Sequence, residues 1–368
     1  MKNLKTLRPL NTLKTALFGV AGLFGLGALA LSPAEACTRA VYLGPDSMVV
    51  TGRTLDWIGP MPTNLWILPR GIQRVSFDKE PRLTWTSRYG SVAAVTYDIG
   101  TTEGMNEKGL LVQLLYLPGT RYDRPGPDDR PVMGMSIWCQ YVLDNFATVS
   151  EAAAALRKDS FHINAPNLPG GAESTMHMAM SDPSGNSAIV EYVNGEITVY
   201  EGRQYQVLTN APTFDKQLAI QQYWASVGGM NMLPGTGRPS DRFVRASFFI
   251  NAVKQTSDPK EAVATVFSVM RAVSVPLGIS TPEQPQNSST QWRSVTDQKN
   301  RIYYFETTLA TASLWVPFDE VDFSAGAPVK KLTLTGPQCD TYAGNAISHF
   351  VETKPFEFMF VIPDDFQM

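Results

Sequence analysis

The stretch Pro33-Ala-Glu-Ala-Cys-Thr-Arg-Ala40 sets a cysteine directly behind Ala34-Glu35-Ala36, a small-x-small triplet of the kind that signal peptidases cut. Its reading decides what the rest of the chain is built around, because cleavage after Ala36 makes Cys37 a new amino terminus. Upstream, Lys2, Lys5, Arg8 and Lys14 form a positive leader, and Ala16 to Leu31 is an uncharged run of Ala, Leu, Gly, Phe and Val. That run fits a signal-peptide core and falls short of the roughly 20 residues needed to span a bilayer. Residues 1–36 therefore read as a secretory signal that is removed on export. A retained membrane anchor is the competing reading, and the position of the triplet speaks against it.

Two readings fit Cys37 itself. In one it is the lipidated cysteine of a bacterial lipoprotein. Such signals want Leu three residues before the cysteine and small residues at the next two places, whereas Ala34, Glu35 and Ala36 stand there and Glu35 fits poorly. In the other, cleavage frees an α-amine on the residue that carries the thiol. An α-amine has an ordinary pKa of about 7.7–8.0, so at neutral pH part of it can take a proton, and one residue supplies both nucleophile and base. The segment alone leaves both readings open.

Removal of residues 1–36 takes away four basic residues and one acid, leaving 27 Lys and Arg against 33 Asp and Glu, a net charge of -6 instead of -3. This balance disfavours nucleic-acid partners, whose phosphates are held by clustered Lys and Arg. Only three histidines are present, His162, His177 and His349. There is no G-x-S-x-G elbow, H-E-x-x-H, C-x-x-C or G-x-x-x-x-G-K-[ST], and no visible ligand set for a metal or organic cofactor. His177, in the alternating run M-H-M-A-M, reads as a structural residue. Cys139 lies in an apolar helical pattern, Met133 to Val142, as a small buried hydrophobe. It and Cys339 are able to pair in an oxidising compartment, and their spacing does not decide the matter.

No Gly/Ser linker, charge block or repeat divides residues 37–368, which read as one domain. Residues 37–43 and 48–55, joined by Gly44-Pro45-Asp46-Ser47, predict a hairpin. Further strands are predicted at 91–98, 110–117, 176–181, 187–193, 196–200 and 206–209, and a second hairpin at 291–296 and 301–307. Thr148-x-x-Glu151 ahead of A-A-A-A-L is a capping box. Asp258-Pro259-x-Glu261 opens a helix over V-A-T-V-F-S-V-M-R-A-V, and Ser240 is the expected cap of D-R-F-V-R-A-S-F-F-I-N-A-V. Runs of strands alternating with blocks of helices suit a layered α+β fold better than βαβ repeats.

With Cys37 as a mature terminus, the segments downstream form an ordered set: C-T-R at 37–39, G-R-T-L-D-W at 52–57, G-M-N-E-K-G-L at 104–110, L-T-N-A-P at 208–212, and L-P-G…S-D-R-F between 233 and 243. This set resembles the choloylglycine hydrolase and penicillin V acylase family of N-terminal nucleophile (Ntn) hydrolases, and it spans essentially the whole mature chain. The resemblance implies a four-layer αββα sandwich of two antiparallel sheets between helical layers. It implies Cys37 as nucleophile, Arg53 and Asp56 beside it, Asn210 as an oxyanion-hole side chain and Arg242 as a second site arginine. Tyr116, in L-L-Y-L-P, stands where bile-salt hydrolases tend to carry Asn and penicillin V acylases Tyr, and its backbone N–H becomes the other oxyanion donor.

The chemistry is consistent with these roles. A guanidinium near sulfur favours thiolate, and Arg53 keeps its charge while doing so. Asp56 is expected to accept a hydrogen bond from the terminal ammonium, and Asn210 to donate to the tetrahedral oxyanion. Taken singly, Arg53 and Asp56 form an ordinary charge pair, Asn210 a turn residue and Arg242 a solvated residue of a helix's first turn. Trp57, Trp85 and Tyr116 are candidate substrate-binding aromatics, with Trp66 beside them, although Trp66 and Trp85 serve equally well as core. Small-molecule amides are the expected partners: penicillin V first, then N-acyl homoserine lactones, with bile salts less favoured because of Tyr116. The resemblance further implies a homotetramer without a cofactor. The signal implies a periplasmic protein with no stable membrane association after cleavage.

Overall fold

The structure, a computed structural model, describes residues 37–123, 128–167, 173–282 and 287–363. The expected signal segment, 1–36, and the last residues of the expected domain, 364–368, lie outside them. β1 (Cys37–Leu43) and β2 (Val49–Trp57) form the expected hairpin, with Cys37 opposite Leu55 and Arg39 opposite Arg53. Its turn closes through Gly44 N to Met48 O at 2.8 Å, while Asp46 and Ser47 take positive φ of 53° and 58°. Short polar residues tolerate that conformation better than branched or bulky ones.

β2 is buried along its whole length although Thr51, Arg53, Thr54 and Asp56 are polar. Burial on both faces requires a layer on each side. One sheet runs in the order Val207–Leu208, β1, β2, Ser289–Asp297, Ile302–Thr307, Leu314–Pro317, Gly344–Asn345, antiparallel except for its last pair. The second runs Glu196–Glu201, Ser187–Val193, Met176–Ser181, Leu111–Tyr116, Gly100–Asn106, Ser91–Thr96, β3 (Thr63–Leu68), Lys330–Leu332, Val351–Glu352.

Five α-helices are described: α1 (Met135–Asn145), α2 (Val149–Leu156), α3 (Phe214–Val227), α4 (Pro239–Ala252) and α5 (Pro259–Val273). α4 and α5 cover the outer face of the first sheet, with α3 against α4, and α1 and α2 cover the second sheet. The layers are thus helices, sheet, sheet, helices, the α+β sandwich expected from the sequence. A Cβ at Gly52 of β2 would stand 2.6 Å from Met270 Cγ and Val266 Cγ1, so glycine is what lets α5 settle onto this strand.

Helix ends follow their caps with one correction. Thr148 Oγ1 accepts from Glu151 N at 3.2 Å, and Asp258 Oδ1 accepts from Lys260 N at 2.8 Å and Glu261 N at 3.2 Å. Ser240, however, is not the cap of α4. The helix begins at Pro239, whose fixed φ suits a first helical position, and Arg238 stands at the cap with no side-chain cap bond. Cys139 and Cys339 are unpaired, Cys139 on the buried face of α1 and Cys339 partly exposed.

Candidate active site

Side chains alternate along a strand, so Arg53, Leu55 and Trp57 leave β2 on one face and Thr54 and Asp56 on the other. The contacts divide accordingly. Arg53 reaches toward the second sheet, where Nη2 donates to Leu114 O at 2.5 Å and Nη1 to Thr102 O at 3.1 Å and Glu103 Oε2 at 3.4 Å. The same Nη2 stands 3.9 Å from Cys37 Sγ, and the guanidinium lies 5.1 Å over the Trp292 ring. Glu103, fully buried, also accepts from Gln113 Nε2 at 2.7 Å and Tyr303 O–H at 2.6 Å.

On the opposite face, Asp56 accepts from Thr290 Oγ1 at 2.5 Å and Thr54 Oγ1 at 3.1 Å, with Arg242 Nη1 at 3.7 Å. Arg242 is fully buried rather than solvated. It donates from Nη1 to Cys37 O at 2.7 Å and to Thr38 Oγ1, from Nη2 to Asn210 Oδ1 at 3.0 Å, and from Nε to Gly237 O at 2.9 Å.

Asn210 joins the two halves. Its Oδ1 accepts from Cys37 N at 2.5 Å as well as from Arg242, and its Nδ2 donates to Tyr116 O at 2.7 Å. Two donors on one end and an acceptor on the other fix the orientation of this amide. An NH₂ group carries two hydrogens, so Nδ2 has a second one to offer an incoming oxygen. The turn that presents Asn210 is itself held: Gln217 Nε2 donates to Asn210 O at 2.5 Å and Pro212 O at 2.6 Å, and His177 joins Glu191 Oε1 at 2.8 Å to Thr209 O at 2.7 Å. His177 sits in this scaffold, away from the sulfur.

The peptide nitrogen of Cys37 donates to Asn210 Oδ1, while the oxygens of Asp56 accept from two hydroxyls and face Arg242. The bond expected from a terminal ammonium to Asp56 concerns the freed amine, which carries more hydrogens than this peptide nitrogen.

Burial pushes the Cys37 thiol up, and the nearby Arg53 guanidinium pulls it down without cancelling the rise. Burial raises Asp56 to about 6, against the pull of Arg242 and the hydrogen bonds from Thr290 and Thr54. For Arg242 burial dominates and lowers its pKa, with Asp56 opposing. Arg53 also loses hydration, but Cys37 and Glu103 outweigh that loss and keep it above its ordinary value.

Cys37, Arg53 and Asp56 open onto a cavity of about 150 Å³ whose other walls are largely apolar. They include Leu55, Trp57, Tyr116, Met61, Met135 and Met176, with Trp57 edge-on to Tyr116 at a centroid distance of 5.9 Å. Trp85 does not line this cavity. Its indole N–H donates to Asp144 Oδ2 at 2.8 Å and its ring packs edge-on to Tyr141 at 5.1 Å. Trp66 likewise bonds Asp98 Oδ1 at 2.9 Å and packs on Phe356 at 5.0 Å. Both tryptophans satisfy their N–H with a carboxylate, Trp66 within the core and Trp85 half-buried against it, the alternative that their sequence left open. Glu103, Gln113 and Tyr303 were not among the expected residues; the motif G-M-N-E-K-G-L begins one position after Glu103.

The sequence model of the linear amide C-N hydrolases, choloylglycine hydrolase family, matches residues 37–329. A penicillin V acylase of Pectobacterium atrosepticum is 41% identical over 345 residues, 88% of this chain and 92% of that protein. Among solved structures, penicillin V acylase from Agrobacterium tumefaciens superposes with a TM-score of 0.80 at 48% identity, covering 88% of this chain and 99% of that one. A mutant form of the conjugated bile acid hydrolase from Clostridium perfringens shares the fold at a TM-score of 0.67 and 22% identity, covering 80% of this chain and 96% of that one. The chain belongs to the choloylglycine hydrolase family and is a linear amide C–N hydrolase of the penicillin V acylase-like kind.

Proposed function

We propose that the enzyme is a cysteine amidase in which removal of residues 1–36 frees the α-amine of Cys37 to act as base for that residue's own thiol. One observation carries this reading. The sulfur and nitrogen of Cys37 are buried in a single network, with Arg53 Nη2 at 3.9 Å from the sulfur and Asn210 Oδ1 at 2.5 Å from the nitrogen, beside an apolar cavity.

Because burial holds the thiol protonated, a base must take its proton as it attacks, and an amide nitrogen has no basic lone pair for the task. Once the bond to Ala36 is cut, the nitrogen becomes basic and Asn210 keeps it beside the sulfur. Sulfur attacks the substrate carbonyl carbon, and the amine takes the thiol proton. The second Nδ2 hydrogen of Asn210 and the backbone N–H of Tyr116 receive the oxyanion. The C–N bond then breaks as the ammonium returns its proton to the leaving nitrogen, leaving a thioester on Cys37. Water, activated by the same amine, releases the acid.

Trp57 and Tyr116 suit a flat acyl group such as the phenoxyacetyl of penicillin V. Methionine walls adapt to flexible chains, which supports N-acyl homoserine lactones as a second substrate class. In this reading the mature enzyme is periplasmic, takes small amides as its partners, and assembles as a homotetramer. Tyr223, Met230 and Met232 are exposed large apolar side chains, which supports burial between subunits.

The test is release of phenoxyacetate from penicillin V. Cys37→Ala, with folding confirmed by circular dichroism, is expected to abolish it, and unchanged turnover removes the mechanism.

A further inference from the structure

Beyond its last short strand, Val351–Glu352, the chain continues as T-K-P-F-E-F-M-F-V-I-P, residues 353–363, past the end of the family match at 329. Phe356, Phe358 and Phe360 alternate with Glu357, Met359 and Val361, and the three rings dock on the body of the protein. Phe356 packs edge-on to Trp66 at 5.0 Å, Phe358 lies 5.2 Å from the Arg74 guanidinium, and Phe360 packs on Phe77 at 5.4 Å. Met359 N donates to Ile99 O at 3.1 Å. Gly134, at the start of α1, makes room for the strap: a Cβ there would stand 2.4 Å from Phe360 Cδ1.

On an extended chain Met359 faces away from the rings on either side of it. After a bend at Phe360 and Val361, Ile362 returns to the same side. Both residues line the cavity that Cys37, Trp57 and Tyr116 also line.

We propose that this carboxy-terminal strap is the specificity-determining wall of the acyl pocket, with Met359 and Ile362 setting the length and bulk of the acyl group that Cys37 accepts. The inference rests on the reading of Cys37 as the nucleophile. The walls on β2, on Leu111–Tyr116 and on α1 are fixed by ladders and helix bonds that also position the reacting groups. The strap is held by ring contacts and by backbone bonds at its two ends, Thr353 N to Val329 O at 2.9 Å and Met359 N to Ile99 O at 3.1 Å in the turn between Ser91–Thr96 and Gly100–Asn106, none of them to Arg53, Asn210 or Asp56, so its side chains reshape the pocket without moving those groups. Methionine, unbranched and soft, yields to a long chain, whereas a rigid ring at the same place blocks it.

The experiment uses the processed enzyme and 6-acylaminopenicillanic acids carrying acetyl, phenoxyacetyl or dodecanoyl groups, and reads the ratio of kcat/KM for dodecanoyl over acetyl. Met359→Trp is expected to lower that ratio at least about tenfold, and the double variant Met359→Ala, Ile362→Ala to raise it, on the scale by which pocket contacts discriminate chain length. Met359→Leu should stay near wild type. Ratios that hold constant in the Trp and double-Ala variants, whatever happens to the absolute rates, overturn the inference while leaving the amidase reading intact. Failure of the wild-type enzyme to release 6-aminopenicillanic acid from any of the three overturns both.

Discussion

Asp56 carries a cost that its neighbours only partly offset. The residue is 1% exposed, and burial raises its carboxyl from 3.8 to about 6 although two hydroxyls and Arg242 favour the anion. A group whose folded pKa lies above its unfolded value contributes stability that is fully present below the unfolded pKa and lost as pH rises through the folded one. For Asp56 that window runs from 3.8 to about 6 and amounts to about 3 kcal/mol. Between pH 3 and pH 7.5, wild-type protein should therefore lose about 3 kcal/mol of urea-unfolding free energy relative to Asp56→Asn, in which this titration is absent. Parallel pH profiles for the two proteins contradict the assignment. Asp56 and Arg53 were legible in the sequence because each forms part of a motif. Glu103 was not, since a carboxylate in G-T-T-E-G-M-N reads as exposed polar residue, and only Arg53, Gln113 and Tyr303, brought in from distant strands, make its burial tenable.

Elements were legible where local chemistry is strong. The β1–β2 hairpin, the strands Met176–Ser181 and Ser187–Val193, and the starts of α2 and α5 stand where turn residues, alternation and caps place them. β3 and Gly100–Asn106 escaped notice: the first lacks polar alternation because both its faces are covered, and the second carries glycines and a buried charge. α3 was missed because it buries little beyond Phe214 and Gln217, so no apolar stripe marks it. Where a cap is read correctly, its worth can be measured. Asp258 receives two backbone N–H groups at the start of α5, the helix that packs on Gly52 of β2. Asp258→Ala should cost about 1 kcal/mol in urea unfolding, whereas Asp258→Ser should cost only a few tenths. Equal losses would show that the cap bonds do not carry this stability.

At the scale of the whole molecule, the site is a seam between two sheets. Arg53 crosses from β2 to Leu114 O, Arg39 crosses from β1 to Met180 O at 2.9 Å, and Tyr303 O–H crosses to Glu103. Among the described residues Arg39 donates there to the carbonyls of Tyr205 and Met180, and burial lowers its pKa to about 9. These crossings join distant parts of the chain, which is why the ordered motifs suggested the site while its supporting groups and the strap wall became visible only in three dimensions. In the proposed mechanism these crossings hold Cys37 in place, and cleavage after Ala36 supplies the basic nitrogen. The most direct measurement compares penicillin V hydrolysis by protein beginning at Cys37 with that by protein retaining Ala36, both verified by intact mass. The Cys37-first protein should turn over substrate, and the Ala36-extended one should be slower by a factor on the order of 10²–10⁴, the usual worth of a positioned base. Equal rates from the two would contradict the claim that the terminal amine is the base.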